Sequence, residues 1–479
     1  METGERLDVA ILGGGIAGLT VAYRLRSLAP ELAIGLFEGS DRFGGKVLSE
    51  RVETPEGDFI IEGAADAFLI QKPWARELID ELGLSHRLIP INQAAQPVTM
   101  LKNGRLIPLP EGVSMLAPTK LKPFLRSPLL SLSGKARTLC DLALPARTDD
   151  EDESLADFVR RRLGEEALDW LAEPLMAGIY NADPERMSIL ATFPNLRQLE
   201  RKQRSLIRGM RAAKRTQNGA KRDPIFMSLQ GGMVELGDAL AEATSGKTHL
   251  NAQVERLTPH LQGGYSIEFA NRPPVTARSV VLALPAANAA RMLQPIAPEA
   301  SSLLSELRTV SSGSISLAYR TAAITRPLPG YGLVVPAKSG GAFNAITVSS
   351  QKFDGRAPEG CSLLRIFYGG TRSPETMLLD DDALLQTMRS ELRALLGIQP
   401  APLIHRIYRW PAGGPQYDVG HIERIAAIDA AMPEHIVVTG SPYRGVGIPD
   451  IVRESTQSTQ RLVEKHRAFA AHQSPLRSG

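Results

Sequence analysis

The chain has 479 residues, with 55 Lys and Arg against 52 Asp and Glu and a formal net charge of +3; hydrophobic residues make up 43% and charged residues 22%. This composition belongs to a globular protein of two or three domains and excludes a disordered chain, a collagen and a coiled coil. The charge balance argues against nucleic acid; the two cysteines, Cys140 and Cys361, build neither a disulfide framework nor a metal site; and no run of ~18 apolar residues predicts a membrane-spanning helix.

The N-terminus lacks a basic region followed by an apolar stretch and cleavage site, the pattern of a cytoplasmic protein. Residues 7–12 predict a buried strand, a glycine cluster follows, residues 16–28 predict a helix, and residues 32–37 predict a second strand. Strand, helix and strand in about 30 residues form a parallel βαβ unit. The apolar runs 280–284 and 436–439 predict further buried strands returning to the same sheet. The acidic run 149–153 reads as a solvated stretch ahead of a helix at 154–163, and the ten Lys and Arg of 197–222 read as a solvated helix and loop. The alternative for the basic run is attraction of an acidic substrate or an anionic membrane.

Gly13-Gly14-Gly15-Ile16-Ala17-Gly18 lies between the first strand and the helix. Gly13 allows the tight turn, Gly15 lets backbone approach a pyrophosphate, and Gly18 lets the helix pack on the sheet, with the phosphates at the helix N-terminus. Glu38 closes the second strand, where an acidic residue bonds ribose hydroxyls. Strand, glycines, helix and acid in register predict dinucleotide binding. Gly39 follows, and then Arg42, Gly44, Gly45 and Lys46 form a basic glycine turn. A third segment, Gly440 to Asp450 with Gly445, Val446, Gly447 and Ile448, joins a strand to the last helix. The second and third segments resemble flavin motifs of amine oxidases and carotenoid desaturases, so the predicted cofactor is FAD. A helix N-terminus facing the flavin pyrimidine would stabilise the reduced ring.

The resemblance narrows further. Glu62-Gly63-Ala64-Ala65-Asp66-Ala67-Phe68 is similar to a glycine-proline-aspartate-serine-phenylalanine segment of porphyrinogen oxidases, with Ala64 and Ala67 departing from it. Glu173 to Tyr180 with Asp183 and Ser188, Phe226 to Met233, and Gly445 to Asp450 resemble the remaining blocks of that family. The resemblance covers about residues 7–465 and is weakest over 88–150.

The resemblance implies a two-dinucleotide-binding FAD fold with a Rossmann-like parallel sheet, a mixed α/β substrate domain and a helical insertion. The FAD domain is expected over 1–72, 224–290 and 408–470, the substrate domain over 73–88, 186–223 and 291–407, and the insertion, membrane-facing in the family, over 89–185. It implies oxidation of coproporphyrinogen III or protoporphyrinogen IX to the porphyrin in three two-electron rounds, with O2 as acceptor, in heme biosynthesis. A membrane surface or a heme-pathway protein is an expected partner, and the chain is expected as a monomer or homodimer. Hydride goes to FAD, so no catalytic side chain is assigned; the eight histidines show no catalytic spacing. Gly63, Ala64, Ala65 and Asp66 are expected beside FAD, Val254 at its adenine side and Trp410 near the flavin. Gly178, Leu333, Val335, Thr347 and Phe367 are expected around the substrate, with core packing the other reading of Leu333 and Val335. Val98 stands where plant members carry a propionate-binding arginine, so Lys72 or an arginine of 197–211 is the expected substitute. Amine oxidases and carotenoid desaturases are the alternative enzymes, but the Glu173–Tyr180 block argues against an amine oxidase. A non-catalytic escort of prenylated proteins would lose flavin contacts that are complete here. A module binding membranes through 197–222 is the remaining alternative.

Overall fold

The computed structural model describes residues 5–92, 98–114, 116–216 and 224–473. Its first sheet is organised by strand Arg6–Leu12, which pairs in parallel with Ile34–Phe37 on one side and Val275–Leu282 on the other. Thr248–His249 adds outside Ile34–Phe37, Ile436–Val438 runs parallel to Val275–Leu282, and the antiparallel strands Tyr265–Phe269 and Val254–Pro259 complete the sheet. Segments far apart in sequence therefore do return to one sheet. Its apolar runs are continuous because both faces are covered. Val9 and Ile11 pack against helices Ile16–Leu28, Val234–Ala243 and Ile448–Gln473. Leu7, Ala10 and Leu12 pack against Ala286–Leu293, Pro298–Ser305 and His421–Ala431. The strand order reverses at Arg6–Leu12, which leaves a crevice at its C-terminal end.

A second sheet has the order Ile404–Pro415, Thr309–Arg320, Cys361–Gly369, Ala345–Val348, Gly332–Val334, Thr99–Lys102, Arg105–Pro108. One face is sealed by helix Asp381–Leu396, which buries Leu384, Met388, Leu392 and Leu396 against Ile315, Ile346 and Ile366. The other face carries Ser314, Thr347, Arg365, Phe367, Tyr408 and Trp410, since residues paired across strands share a face. Three segments depart from the boundaries expected for the domains. The hairpin Thr99–Lys102 and Arg105–Pro108 extends the second sheet, because Leu101 and Leu106 pack toward helix Asp381–Leu396 while Met100 and Ile107 pack on the insertion. Strand Ile404–Pro415 keeps Trp410 on that sheet. Helices Pro194–Gln203 and Leu206–Thr216 bury Leu196, Leu206, Ile207 and Met210 in the insertion core.

Within the insertion, Ser154 caps helix Leu155–Arg162 by accepting from Asp157 N (3.0 Å). The acidic run before it is not merely solvated. Arg201 pairs with Asp150 (2.5 Å), and Glu153 accepts from Arg161 (2.7 Å). Fully buried Glu200 binds Arg161 (2.6 Å) and Arg197 (2.8 Å). The acidic run and the described part of the basic run thus hold each other. Residues 217–222 of the basic run lie outside the described residues. Helix Leu168–Ala177 is π-helical and contains Pro174, which has no N–H for an α ladder. It delivers Gly178. No helix among the described residues is long and apolar enough to cross a membrane.

Burial would raise the Glu200 pKa, but hydrogen bonds from Arg161, Arg147 N and Arg197 outweigh it and bring it to about 2 from the ordinary 4.5. A depressed carboxylate stabilises the fold above its unfolded pKa and loses that contribution as pH falls through its folded one. Thermal stability should therefore fall from pH 4.5 toward pH 2, more steeply in the native protein than in Glu200→Gln. At neutral pH the variant should lose about 3–5 kcal/mol, the cost of stranding buried arginines. Parallel pH profiles of the two proteins would refute this assignment.

Candidate active site

The first cradle is built by backbone approach. Gly13 has φ +107° and donates its N–H to Phe37 O (2.8 Å). A Cβ on Gly18 would overlap the Gly13 carbonyl, so the helix reaches the sheet only through glycine. Gly14 N donates to Glu38 Oε2 (2.6 Å), and Glu38 Oε1 accepts from Ser40 N (2.9 Å) and Ser40 Oγ (2.8 Å). The carboxylate is thus fixed beside the glycine loop with acceptor capacity left for a ribose hydroxyl. A Cβ on Gly15 would meet only Gly45 Cα, at 3.9 Å, so Gly15 borders open space. Gly44 N donates to Gly14 O (2.9 Å), which brings the basic turn against the first cradle. Arg42 spends its guanidinium on that turn, donating to Phe43 O (3.1 Å), Val47 O (3.3 Å) and Gly45 O. Gly39 packs against Gln253, and Ala252 N donates to Glu38 O (2.7 Å), so Val254 lies beside the acidic end of the cradle. These features fit a dinucleotide: free backbone at a helix N-terminus, a fixed acid and glycines at each close approach.

The other segments converge from different parts of the chain. Gly440 lies against Ala17 of the first helix, with 3.6 Å between a Cβ built on it and the Ala17 Cβ. Ile448 and Ile16 are buried in the same core. Lys72 binds Asp450 (2.5 Å), so it serves the Gly445–Ile448 loop and is not an unpaired cation for a substrate carboxylate. Gly63 O accepts from Trp410 Nε1 (3.1 Å) and Ser314 Oγ (3.2 Å), and Ala64 O accepts from Arg365 (2.6 Å). Ala65 is half-buried against the core of the first helix. The Gly63–Asp66 segment is therefore pressed onto the second sheet beside Phe367 and Thr347. Gly178 has open space where a Cβ would stand. The turn that follows it meets the end of strand Cys361–Gly369, where Asn181 O accepts from Thr371 N (3.4 Å).

Leu333 and Val335 do not join this wall. Leu333 pairs with Ile346, on the face opposite Thr347 and Phe367, and is 0% exposed against helix Asp381–Leu396; Val335 is buried with it. Gly332 and Val334 occupy the cavity face instead. The expectation of Leu333 and Val335 as substrate walls is corrected to core packing, because strand parity is set by the register.

Lys46, Asp66 and Tyr180 keep water-accessible surface although protein surrounds them on most sides, as side chains lining a deep cavity do. This enclosure pushes the Lys46 pKa down and the Tyr180 and Tyr331 pKa values up. Lys46 Nζ donates to Gly413 O (2.5 Å). Burial would raise Asp66, but the charges of Lys352 (2.7 Å), Arg365 and Arg356 outweigh it and hold its pKa below the ordinary carboxylate value. Arg365 is 2% exposed, stacks over Phe367 (4.7 Å to the ring centre) and leaves Nε and Nη1 without hydrogen bonds. Sequence reasoning missed Arg365, Lys352, Tyr180 and Tyr331 as cavity residues. Arg365 had a signal: a lone cation in the apolar run Leu363-Leu364-Arg365-Ile366-Phe367, two residues from Phe367 and hence on its face. Among the described residues no cluster fits a metal ion.

Comparison with known proteins agrees with this geometry. The family pattern described as flavin containing amine oxidoreductase matches residues 16–421. The coproporphyrinogen III oxidase of Bacillus subtilis is 34% identical over 94% of this chain and 97% of its own length. That of Propionibacterium freudenreichii is 33% identical over 95% and 90%. A solved structure of a candidate protoporphyrinogen oxidase from Exiguobacterium superposes with a TM-score of 0.85 at 28% identity, covering 96% of this chain and 99% of that one.

The two glycines of the first cradle separate cofactor from fold. Gly15→Ala should fold with an unchanged melting temperature and lose at least tenfold in FAD affinity, because its methyl enters the phosphate approach. Gly18→Ala should unfold at lower temperature even without FAD, because its methyl meets the Gly13 carbonyl. Equal behaviour of the two in thermal denaturation and FAD titration would contradict this division.

Proposed function

Because this chain belongs to the flavin-containing amine oxidoreductase family, we propose that it is an FAD-dependent oxidase whose preferred substrate is coproporphyrinogen III and whose electron acceptor is O2. The porphyrinogen assignment is supported by relatives that match nearly its whole length. The structural observation that carries it is the half-buried Phe367 ring, which shares a sheet face with Thr347 beside the Gly63–Asp66 segment. A macrocycle needs an apolar surface with few polar groups.

Three rounds of oxidation remove six electrons and six hydrogens, four from the meso methylenes and two from pyrrole N–H groups, leaving as three hydrides and three protons. FAD, when bound, supplies the two-electron acceptor chemistry, with O2 leaving as hydrogen peroxide. The side chains bind and orient. Phe367, held from behind by the Arg365 guanidinium, offers a ring face to the macrocycle. Thr347 lies beside it, and Gly178 leaves room for a ring edge. Among the described groups here, Asp66 stays ionised against Lys352, Tyr180 and Tyr331 stay neutral, and burial lowers the Lys46 pKa. Leu132, 83% exposed, and Leu125 beside Lys122 and Arg126 support a role for this face of the insertion at a membrane surface.

Purified, FAD-loaded protein should accelerate the appearance of porphyrin fluorescence in air, with coproporphyrinogen III ahead of protoporphyrinogen IX when the two are run side by side. A faster rate with protoporphyrinogen IX would overturn the substrate preference, and no acceleration with either would overturn the porphyrinogen reading. Phe367→Ala should keep FAD and raise KM at least tenfold. Unchanged kinetics would remove Phe367 from the site.

A further inference from the structure

The Gly440–Ile448 loop is supported from behind by residues 416–421, of which Gln416, Tyr417 and His421 are buried. Tyr417 is 2% exposed, and its hydroxyl works in both directions: Oη donates to Ser441 O (2.6 Å) and accepts from Gly445 N (2.7 Å). Both ends of the 441–445 turn thus rest on one oxygen atom. The phenol ring stacks on the His421 imidazole, with ring centres 4.0 Å apart and planes at 14°. His421 reaches the middle of the same turn, with Nε2 2.8 Å from Tyr443 O. A carbonyl only accepts, so the proton sits on Nε2; burial lowers the His421 pKa and keeps the ring neutral.

The turn is also held by Arg444, which pairs with Glu454 (2.9 Å) and Asp429, and by Arg453, which donates to Arg444 O (3.2 Å). Gly445 has φ +137°, and a Cβ there would overlap Asp450. Among the described residues, the N–H groups of Val446, Gly447 and Ile448 have no partner. They open the 26-residue helix Ile448–Gln473, whose N-terminus carries partial positive charge. The supporting segment is tied in turn to the insertion. Ser188 N donates to Tyr417 O (2.8 Å), Val419 N donates to Arg186 O (2.8 Å), and Gly420 N donates to Asp152 (3.2 Å). Arg308 grips Asp418 with two bonds of 2.9 and 2.7 Å. The Tyr180 ring, two residues from Gly178, lies 6.2 Å from the Tyr417 ring.

We propose that Tyr417, backed by His421, is the positioning residue that fixes the Val446, Gly447 and Ile448 N–H groups at the flavin and ties their placement to the insertion that borders the substrate cavity. Tyr417 touches neither ligand; it acts through the turn. The inference rests on the flavin reading above. Oriented N–H groups favour the electron-rich state of a bound ring, so loosening the turn weakens binding of reduced FAD more than of oxidised FAD.

The test uses the holoenzyme. Tyr417→Phe keeps the ring stack and removes both hydrogen bonds. The preference for reduced over oxidised FAD should fall about tenfold, which is a midpoint potential about 30 mV more negative for a two-electron couple. The circular dichroism and apoprotein melting temperature should stay within error of the native protein. His421→Gln retains a donor for Tyr443 O but loses the stack, and should shift the potential in the same direction by less. A folded, FAD-loaded Tyr417→Phe with native potential overturns the proposal. If that variant does not fold, a native potential in His421→Gln overturns it instead. Native protein that binds no FAD would defeat the flavin reading itself, which is a distinct outcome.

Discussion

The cofactor cradle depends on a contact that tolerates no side chain: the approach of Gly18 to the Gly13 carbonyl. It lets helix Ile16–Leu28 lie on strand Arg6–Leu12 with its first N–H groups at the sheet's crevice. Glu38 pins the loop through Gly14 N, and the Arg42 guanidinium ties together the carbonyls of the turn that closes over it. The remaining segments are then placed by reference to this frame. Gly44 meets Gly14, and Gly237 of helix Val234–Ala243 packs on Gly44, with 3.3 Å from a Cβ built there to the Gly44 Cα. Gly440 meets Ala17. A backbone-built cradle resists sequence change at few positions and is rigid at all of them.

The second sheet meets the first domain through an apolar seam, Phe59 and Ile61 against Ala318, Leu363 and Tyr408, and through a buried charge cluster beside it. Lys352, Arg356 and Arg365 come from the second sheet and its loops; Glu62 and Asp66 flank the Gly63–Ala65 segment of the first domain. Three cations against two carboxylates in a buried cluster carry a desolvation cost that an apolar seam would not. What the cluster supplies is fixed charge. Asp66 remains ionised, Arg356 donates to Ser228 Oγ (2.7 Å) and Leu229 O (2.9 Å), and the segment cannot slide. Fixed charge of this kind contributes orientation.

The sequence exposes what is local and hides what register or distance decides. Gly13 to Gly18, Glu38 and the 42–46 turn are legible because the strand–turn–helix that binds a pyrophosphate is one contiguous segment. Thr347 and Phe367 share one face of the second sheet. Leu333 lies on the other, although it differs from its neighbours by a single position along a strand. A period of two makes that position decisive, and only the pairing of Leu333 with Ile346 fixes it. The runs 149–153 and 197–201 look like two solvated stretches because nothing in a sequence shows that they meet. In the structure they close the insertion with buried arginines. Lys72 looked like an available cation for the same reason: its partner, Asp450, lies 378 residues away.

This division also explains how one fold accommodates different flat or extended substrates. The cradle uses backbone atoms on a parallel sheet covered on both faces, so little of it is free to vary. The face proposed to bound the substrate uses alternate side chains of the mixed second sheet, whose other face is anchored by Asp381–Leu396. Exchanging Thr347 or Phe367 leaves the anchoring residues Ile346 and Ile366 untouched. The insertion contributes Gly178, which borders open space. It is joined to the cofactor loop through residues 416–421, which bond Ser188, Arg186 and Asp152 on one side while Tyr417 bonds Ser441 and Gly445 on the other.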